Sequence, residues 1–219
     1  MLWTLPNTLT VFRLLAAPVV ALAFLALPRP HADWVALILF LGAALTDYAD
    51  GRLARARDQV SRFGAMLDPI ADKAMAVIAL AMLLALQGAT AVLVVPAVAI
   101  LFREVFVSGL RGFLGDIAGK LNVTPLAKWK TLAQMLAIAL LFAQGLLDHY
   151  FHAQIPGADR ALAGQAPADG LADAAGPTAL EYGLLGAHYG GLALLWAAAA
   201  LTLFTGVDYF RKALPHLRA

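Results

Sequence analysis

The stretch from Asp47 to Asp72, DYADGRLARARDQVSRFGAMLDPIAD, concentrates the residues of this chain best suited to chemistry. On a helix turning about 100° per residue, Asp47, Asp50, Gly51 and Ala54 share one face, because their offsets are three, four and seven. Asp68 and Asp72 lie four apart, one turn along the opening of a following helix, with Pro69 expected in that helix's first turn. Two carboxylate pairs can then face each other. Four packed carboxylates repel, so the arrangement requires protonation, basic partners or bound cations. Hard oxygen ligands suit Mg²⁺ or Mn²⁺. Gly51, Ala54 and Gly64 remove bulk beside the carboxylates, and Arg52, Arg55, Arg57 and Arg62 supply partners for phosphate. Metal-binding carboxylates beside arginines and small residues describe a phosphoryl-transfer site. Helix packing accounts equally well for the glycines and Ala54, and Arg57 and Arg62 also suit the anchoring of helix ends.

The elements that carry these residues must lie in lipid. Hydrophobic residues make up 62% of the 219 residues and charged residues 14%, where a soluble chain carries about 25% charged. Apolar runs recur at about Leu9 to Leu27, Trp34 to Ala56, Phe63 to Leu86, Ala89 to Gly112, Val123 to Leu147 and Ala187 to Phe210. Each has the length of a membrane-spanning helix, which satisfies its own backbone groups. The expected fold is therefore an all-α integral membrane protein with six transmembrane helices, forming one catalytic domain over residues 1–219. Polar interruptions open the odd spans (Asn7 to Arg13, Asp68 to Lys73, Lys120 to Lys130) and close the even ones (Asp47 to Arg57, Arg103 to Arg111, Asp208 to Lys212). Antiparallel helices bring all six to one side.

Of the 16 Lys and Arg residues, only Arg29 and Arg160 fall in segments assigned to the opposite face. The positive-inside rule makes the charged side of this multi-pass cell (inner) membrane protein the cytoplasmic one, with both termini and the acidic site on that side. Residues 148–186, rich in Gly, Pro, Ala and Asp, read as a long loop on the other side. His149 and His152 have the spacing of a metal pair, but no third ligand is fixed nearby. The N-terminus lacks an early basic region and a cleavage site before its apolar run, and reads as a retained span. Absent cysteine excludes disulfides and thiol chemistry, and a net charge of +2 gives no reason to expect a nucleic-acid partner.

The acidic stretch resembles the signature of the CDP-alcohol phosphatidyltransferase family, D-x2-D-G-x2-A-R-x8-G-x3-D-x3-D. Asp47, Asp50, Gly51, Ala54, Arg55, Gly64, Asp68 and Asp72 match every fixed position. PNTLTVFRLLAAPVV, RFGAMLDPIADK, FREV, LAKWKTLAQM and FTGVDYFRK look like the branch of that family that makes phosphatidylglycerophosphate. The resemblance covers about Pro6 to Leu147 and the last of these segments, and the loop after it is longer than the family leads one to expect.

The resemblance implies a six-helix, dimeric, metal-dependent enzyme, with two Mg²⁺ or Mn²⁺ ions. It would transfer phosphatidyl from CDP-diacylglycerol to sn-glycerol 3-phosphate and release CMP at the membrane surface. It makes Asp47, Asp50 and Asp68 metal ligands and Asp72 both base and co-ligand. Gly51, Ala54, Arg55 and Gly64 would adjoin the CDP-diacylglycerol. A phosphorylated acceptor needs cations of its own, for which Arg103, Arg111, Lys128 and Lys130 are the candidates. Two other readings stay open: the same family with inositol phosphate, serine or a second lipid as acceptor, and a cation pathway lined by the aspartates. A pathway has no use for Gly51, Ala54 and Arg55 at fixed spacing.

Overall fold

The computed structural model describes residues 4–56, 61–120, 126–154 and 179–217. Within these segments the side chains of Pro6, of residues 47–56, and of Asp116, Lys120, Ala127, Lys128 and Gln154 lie outside the described residues. Among the described residues six α-helices follow one another: α1 (Leu5–Ala26), α2 (His31–Ala56), α3 (Arg62–Gln87), α4 (Ala91–Leu114), α5 (Leu126–Gln154) and α6 (Ala179–Leu217). A 3₁₀ turn, Gly115–Lys120, follows α4, and no strand occurs among the described residues. Local chemistry sets several of the ends. Thr4 caps α1 by accepting from the Asn7 N–H at 3.5 Å, and Ser61 caps α3 by accepting from the Gly64 N–H at 3.0 Å. At the ends of α3 and α4, Gly88 (φ 84°) and Gly115 (φ 52°) take the left-handed backbone that side chains disfavour.

Five of the helices are long and apolar enough to cross a membrane, and the described side chains of α2 add a shorter apolar stretch, His31–Thr46. The pattern of burial is that of a lipid-solvated bundle. Leu25, Ile38, Leu45, Val105 and Phe113 point outward, while the centre holds Ala17, Val20, Ala36, Phe40, Ala79, Leu80, Ala97, Ile138, Leu195 and Ala198. Small residues at the centre let helices approach closely where water supplies no driving force between them. Gly191 of α6 shows this most clearly, since a Cβ there would sit 2.8 Å from Leu141 Cγ of α5. α5 and α6 pack along each other, α1 packs on α2 and α3, and α4 packs on α6.

Two expectations need correction. The segment read as a loop over residues 148–186 is shorter, because Asp148 to Gln154 continue α5 and Ala179 to Gly186 open α6. The breakers are confined to the middle: Pro156, Pro167 and Pro177 all fall between the two helices, in a stretch outside the described residues, so the flanks were free to remain helical. Pro69 is not in a first turn, since α3 starts at Arg62 and encloses it. It therefore has no N–H to give to the Ala65 carbonyl one turn back.

Candidate active site

The site is assembled where the start of α3 meets the start of α1. Asn7, Thr10 and Arg13 form a polar stripe on one face of α1, each about 2% exposed. The stripe docks on α3. Ser61 Oγ donates to Asn7 Oδ1 at 2.8 Å, Thr10 Oγ1 donates to Asp68 Oδ1 at 2.6 Å, and Arg13 Nη1 pairs with Asp72 Oδ1. Gly64 is required by this contact, because a Cβ there would stand 2.6 Å from Asn7 Oδ1. A buried arginine in an apolar helix is tolerable only when its charge is met, and Asp72 meets it. The Asp72 side chain remains 44% exposed, so one face of the carboxylate is still open.

Asp68 and Asp72 thus lie one helical turn apart with fixed orientations. Asp47, Asp50, Gly51, Ala54 and Arg55 fall on the last turns of α2, whose backbone is helical as expected. Their side chains lie outside the described residues. Among the described residues no group of three or more acidic, His or Cys side chains gathers. His152 Nδ1 donates to the Asp148 carbonyl at 2.9 Å and His149 rests against the Tyr150 ring, both on the last turns of α5.

A second cluster adjoins the first through Lys73, the residue after Asp72. Lys73 Nζ donates to Ser108 Oγ of α4, and Ser108 Oγ donates to the Glu104 carbonyl at 2.5 Å. Lys130 of α5 and Arg103 both donate to Glu104 Oε1, Arg103 at 3.1 Å. Of the expected phosphate cations, the fold brings Arg103 and Lys130 together on one carboxylate. It sets Arg111 beside them, over the Tyr209 ring of α6 at 5.1 Å. The Lys128 side chain lies outside the described residues. Gly206 of α6 makes room for the Arg103 stem, since a Cβ there would be 2.9 Å from Arg103 Cγ. Two buried donors, Arg103 Nε and the Tyr209 hydroxyl, have no partner among the described residues.

The sequence reading missed the α1 stripe, Glu104 as the common partner of two cations, and Tyr209. The signal for the stripe was present: three polar residues at offsets of three inside an apolar helix must find polar partners. Which partners they find is a tertiary matter.

An all-helical, multi-pass membrane protein with paired carboxylates beside a cationic cluster is the class of molecule that this fold and site define. The sequence matches the CDP-alcohol phosphatidyltransferase family over residues 3–204, and the chain belongs to that family. It is 55% identical over 216 residues to the CDP-diacylglycerol--glycerol-3-phosphate 3-phosphatidyltransferase of Cereibacter sphaeroides, covering 99% of this chain and 98% of that one. Proteins of the same name from Rickettsia bellii (35% identical over 207 residues, 94% and 93% covered) and Pseudomonas fluorescens (34% over 217 residues, 98% and 92% covered) are also similar.

Proposed function

We propose that this chain transfers phosphatidyl from CDP-diacylglycerol to sn-glycerol 3-phosphate, giving phosphatidylglycerophosphate and CMP in phospholipid biosynthesis. The observation that carries the reading is the junction of the two clusters through Lys73. Carboxylates fit for a diphosphate-bound cation stand beside a cationic group fit for a phosphorylated acceptor. Around Glu104 the fold gathers Lys73, Arg103, Arg111 and Lys130, an excess of positive charge that suits a phosphate dianion. The unpartnered Arg103 Nε and Tyr209 hydroxyl are two further donors for it. Serine offers no such dianion.

In the proposed reaction, the acceptor's hydroxyl oxygen forms a new ester bond to the phosphatidyl phosphorus as the bond from that phosphorus to CMP breaks. Asp72 takes the hydroxyl proton. Arg13 holds the Asp72 carboxylate in place through Oδ1, and the carboxylate, 44% exposed, is accessible to the hydroxyl. Thr10 fixes Asp68 in the same way. The donor set of Asp47, Asp50, Asp68 and Asp72, all carboxylate, fits two Mg²⁺ or Mn²⁺ ions. When bound they would neutralise the diphosphate and the leaving CMP. Gly51, Ala54, Arg55 and Gly64 would flank the CDP group, and Arg103, Arg111, Lys128 and Lys130 the acceptor phosphate.

In the membrane, α2 serves as the sixth span. Its 26 residues reach about 39 Å at 1.5 Å per residue, against a hydrocarbon core of about 30 Å. Its charged last turns then stand at the interface. The Lys and Arg bias makes that end cytoplasmic in a bacterial inner membrane, with both termini on the same side. The single domain carries its active site there and functions as a homodimer.

Purified protein supplied with CDP-diacylglycerol and Mg²⁺ or Mn²⁺ should release CMP only when glycerol 3-phosphate is added, and chelation should stop it. Faster release with inositol phosphate or serine would overturn the acceptor. Release that survives chelation would overturn the metal.

A further inference from the structure

At the end of the bundle opposite the aspartates lies a cavity of about 260 Å³. Five helices or their ends contribute to it, and none of its residues takes part in the proposed reaction. Gln87 and Asp72 are 15 residues apart on α3, so the two sites stand about 22 Å apart along that helix. One wall is charged. Arg29 donates through Nε to Asp33 Oδ2 at 2.8 Å and through Nη2 to Asp33 Oδ1 at 2.5 Å, with Asp33 only 1% exposed. Gly145 of α5 is shaped for this pair, because a Cβ there would sit 2.6 Å from Arg29 Nη2 and 3.1 Å from Asp33 Oδ1. The Gln144 side-chain oxygen and His188 Nδ1, on two other lining residues, are buried with no hydrogen-bond partner among the described residues.

Buried polar atoms in folded proteins are nearly always satisfied, so two unsatisfied ones beside one polar cavity point to an occupant. The space equals that of several water molecules, enough for a small organic group. Its chemistry is constrained. Asp33 and Asp148 outnumber Arg29, which disfavours an anionic group inside the cavity. The unused Gln144 oxygen calls for a donor, while His188 Nδ1 and the outer N–H groups of Arg29 can bond to a hydroxyl. We propose that this cavity binds a small polyol, either free or as the glycerol head of a phospholipid whose phosphate rests on Arg29, a side chain 42% exposed. The inference is independent of the reaction proposed above.

The test uses the full chain in detergent, its thermal midpoint followed with glycerol, short-chain phosphatidylglycerol or short-chain phosphatidylcholine. Choline carries no O–H or N–H donor, so the two lipids differ in the feature that the cavity reads. Phosphatidylglycerol, glycerol or both should raise the midpoint by a saturable few degrees, with phosphatidylcholine giving no shift. A response to glycerol alone identifies the free polyol, and a response to the lipid alone identifies the head group. Gln144→Leu should weaken the apparent affinity about tenfold or more and leave CMP release unchanged. His188→Leu provides the same comparison if Gln144→Leu fails to fold. Equal shifts from both lipids, no saturable shift at all, or a folded variant that responds as the parent does would overturn the proposal.

Discussion

The two polar ends of the bundle handle buried charge differently. At the far end the ion pair is local: Arg29 and Asp33 are four residues apart and tie the entry of α2 to its own first turn. At the aspartate end the pairings of Asp68, Asp72 and Lys130 cross between helices, and only the adjacent Arg103–Glu104 pair among the proposed site's described ion pairs is local. Thr10 reaches Asp68 and Arg13 reaches Asp72 from 58 and 59 residues away, and Lys130 reaches Glu104 from 26. A local pair can form whenever a helix forms. Cross-helix pairs hold their groups in place only in the packed bundle, and that placement is what chemistry on two bound substrates needs. The contrast makes the aspartate end the sensitive one, and substitutions should rank accordingly.

The largest effect is expected at Asp68. Asp68→Asn keeps an oxygen for Thr10 but loses the charge that a hard divalent cation requires, so transfer should be abolished with folding largely retained. Near-normal CMP release by the purified variant across a range of Mg²⁺ and Mn²⁺ would remove Asp68 from the metal site. Asp72→Asn should lower turnover by about 10²- to 10⁴-fold while CDP-diacylglycerol still binds, because a base acts in the chemical step. Donor affinity falling in parallel with rate would make Asp72 chiefly a ligand.

Smaller effects are expected in the cationic cluster. Arg103→Ala and Arg111→Ala should each raise KM for glycerol 3-phosphate by about ten- to a hundredfold, the scale of a lost charge-assisted hydrogen bond, with KM for the donor little changed. Equal changes for both substrates would move these residues out of the acceptor site. The least effect should come from the far side: replacing Ala158 to Thr178 by a short Gly/Ser linker should leave activity intact, as expected for a Gly- and Pro-rich segment remote from the chemistry. A folded but inactive product would erase the contrast between the two ends.

Most of the architecture was legible in the residues themselves. Apolar runs of spanning length can only be helices in lipid, and the alternation of polar interruptions predicts antiparallel order. Arg103 meeting Gly206, Lys130 meeting Glu104 and Arg13 meeting Asp72 agree with that order. Helix ends were read less well. Composition marked the Pro- and Gly-rich stretch between α5 and α6 as irregular, but tertiary packing of α5 on α6 carried the helices further into it than local signals indicate.

By itself the sequence determined the all-helical fold and the covalent spacing of the site: which carboxylates share a helix face, and which charges gather at one end. These follow from the 3.6-residue period and from the cost of exposing backbone or charge to lipid. Only the tertiary structure decided the partners. No periodicity in α1 says that Thr10 belongs to Asp68, that Arg13 belongs to Asp72, or that Arg103 and Lys130 share Glu104. Each of those contacts depends on the rotation and depth at which two helices meet, and these are set by the small residues and glycines packed between them.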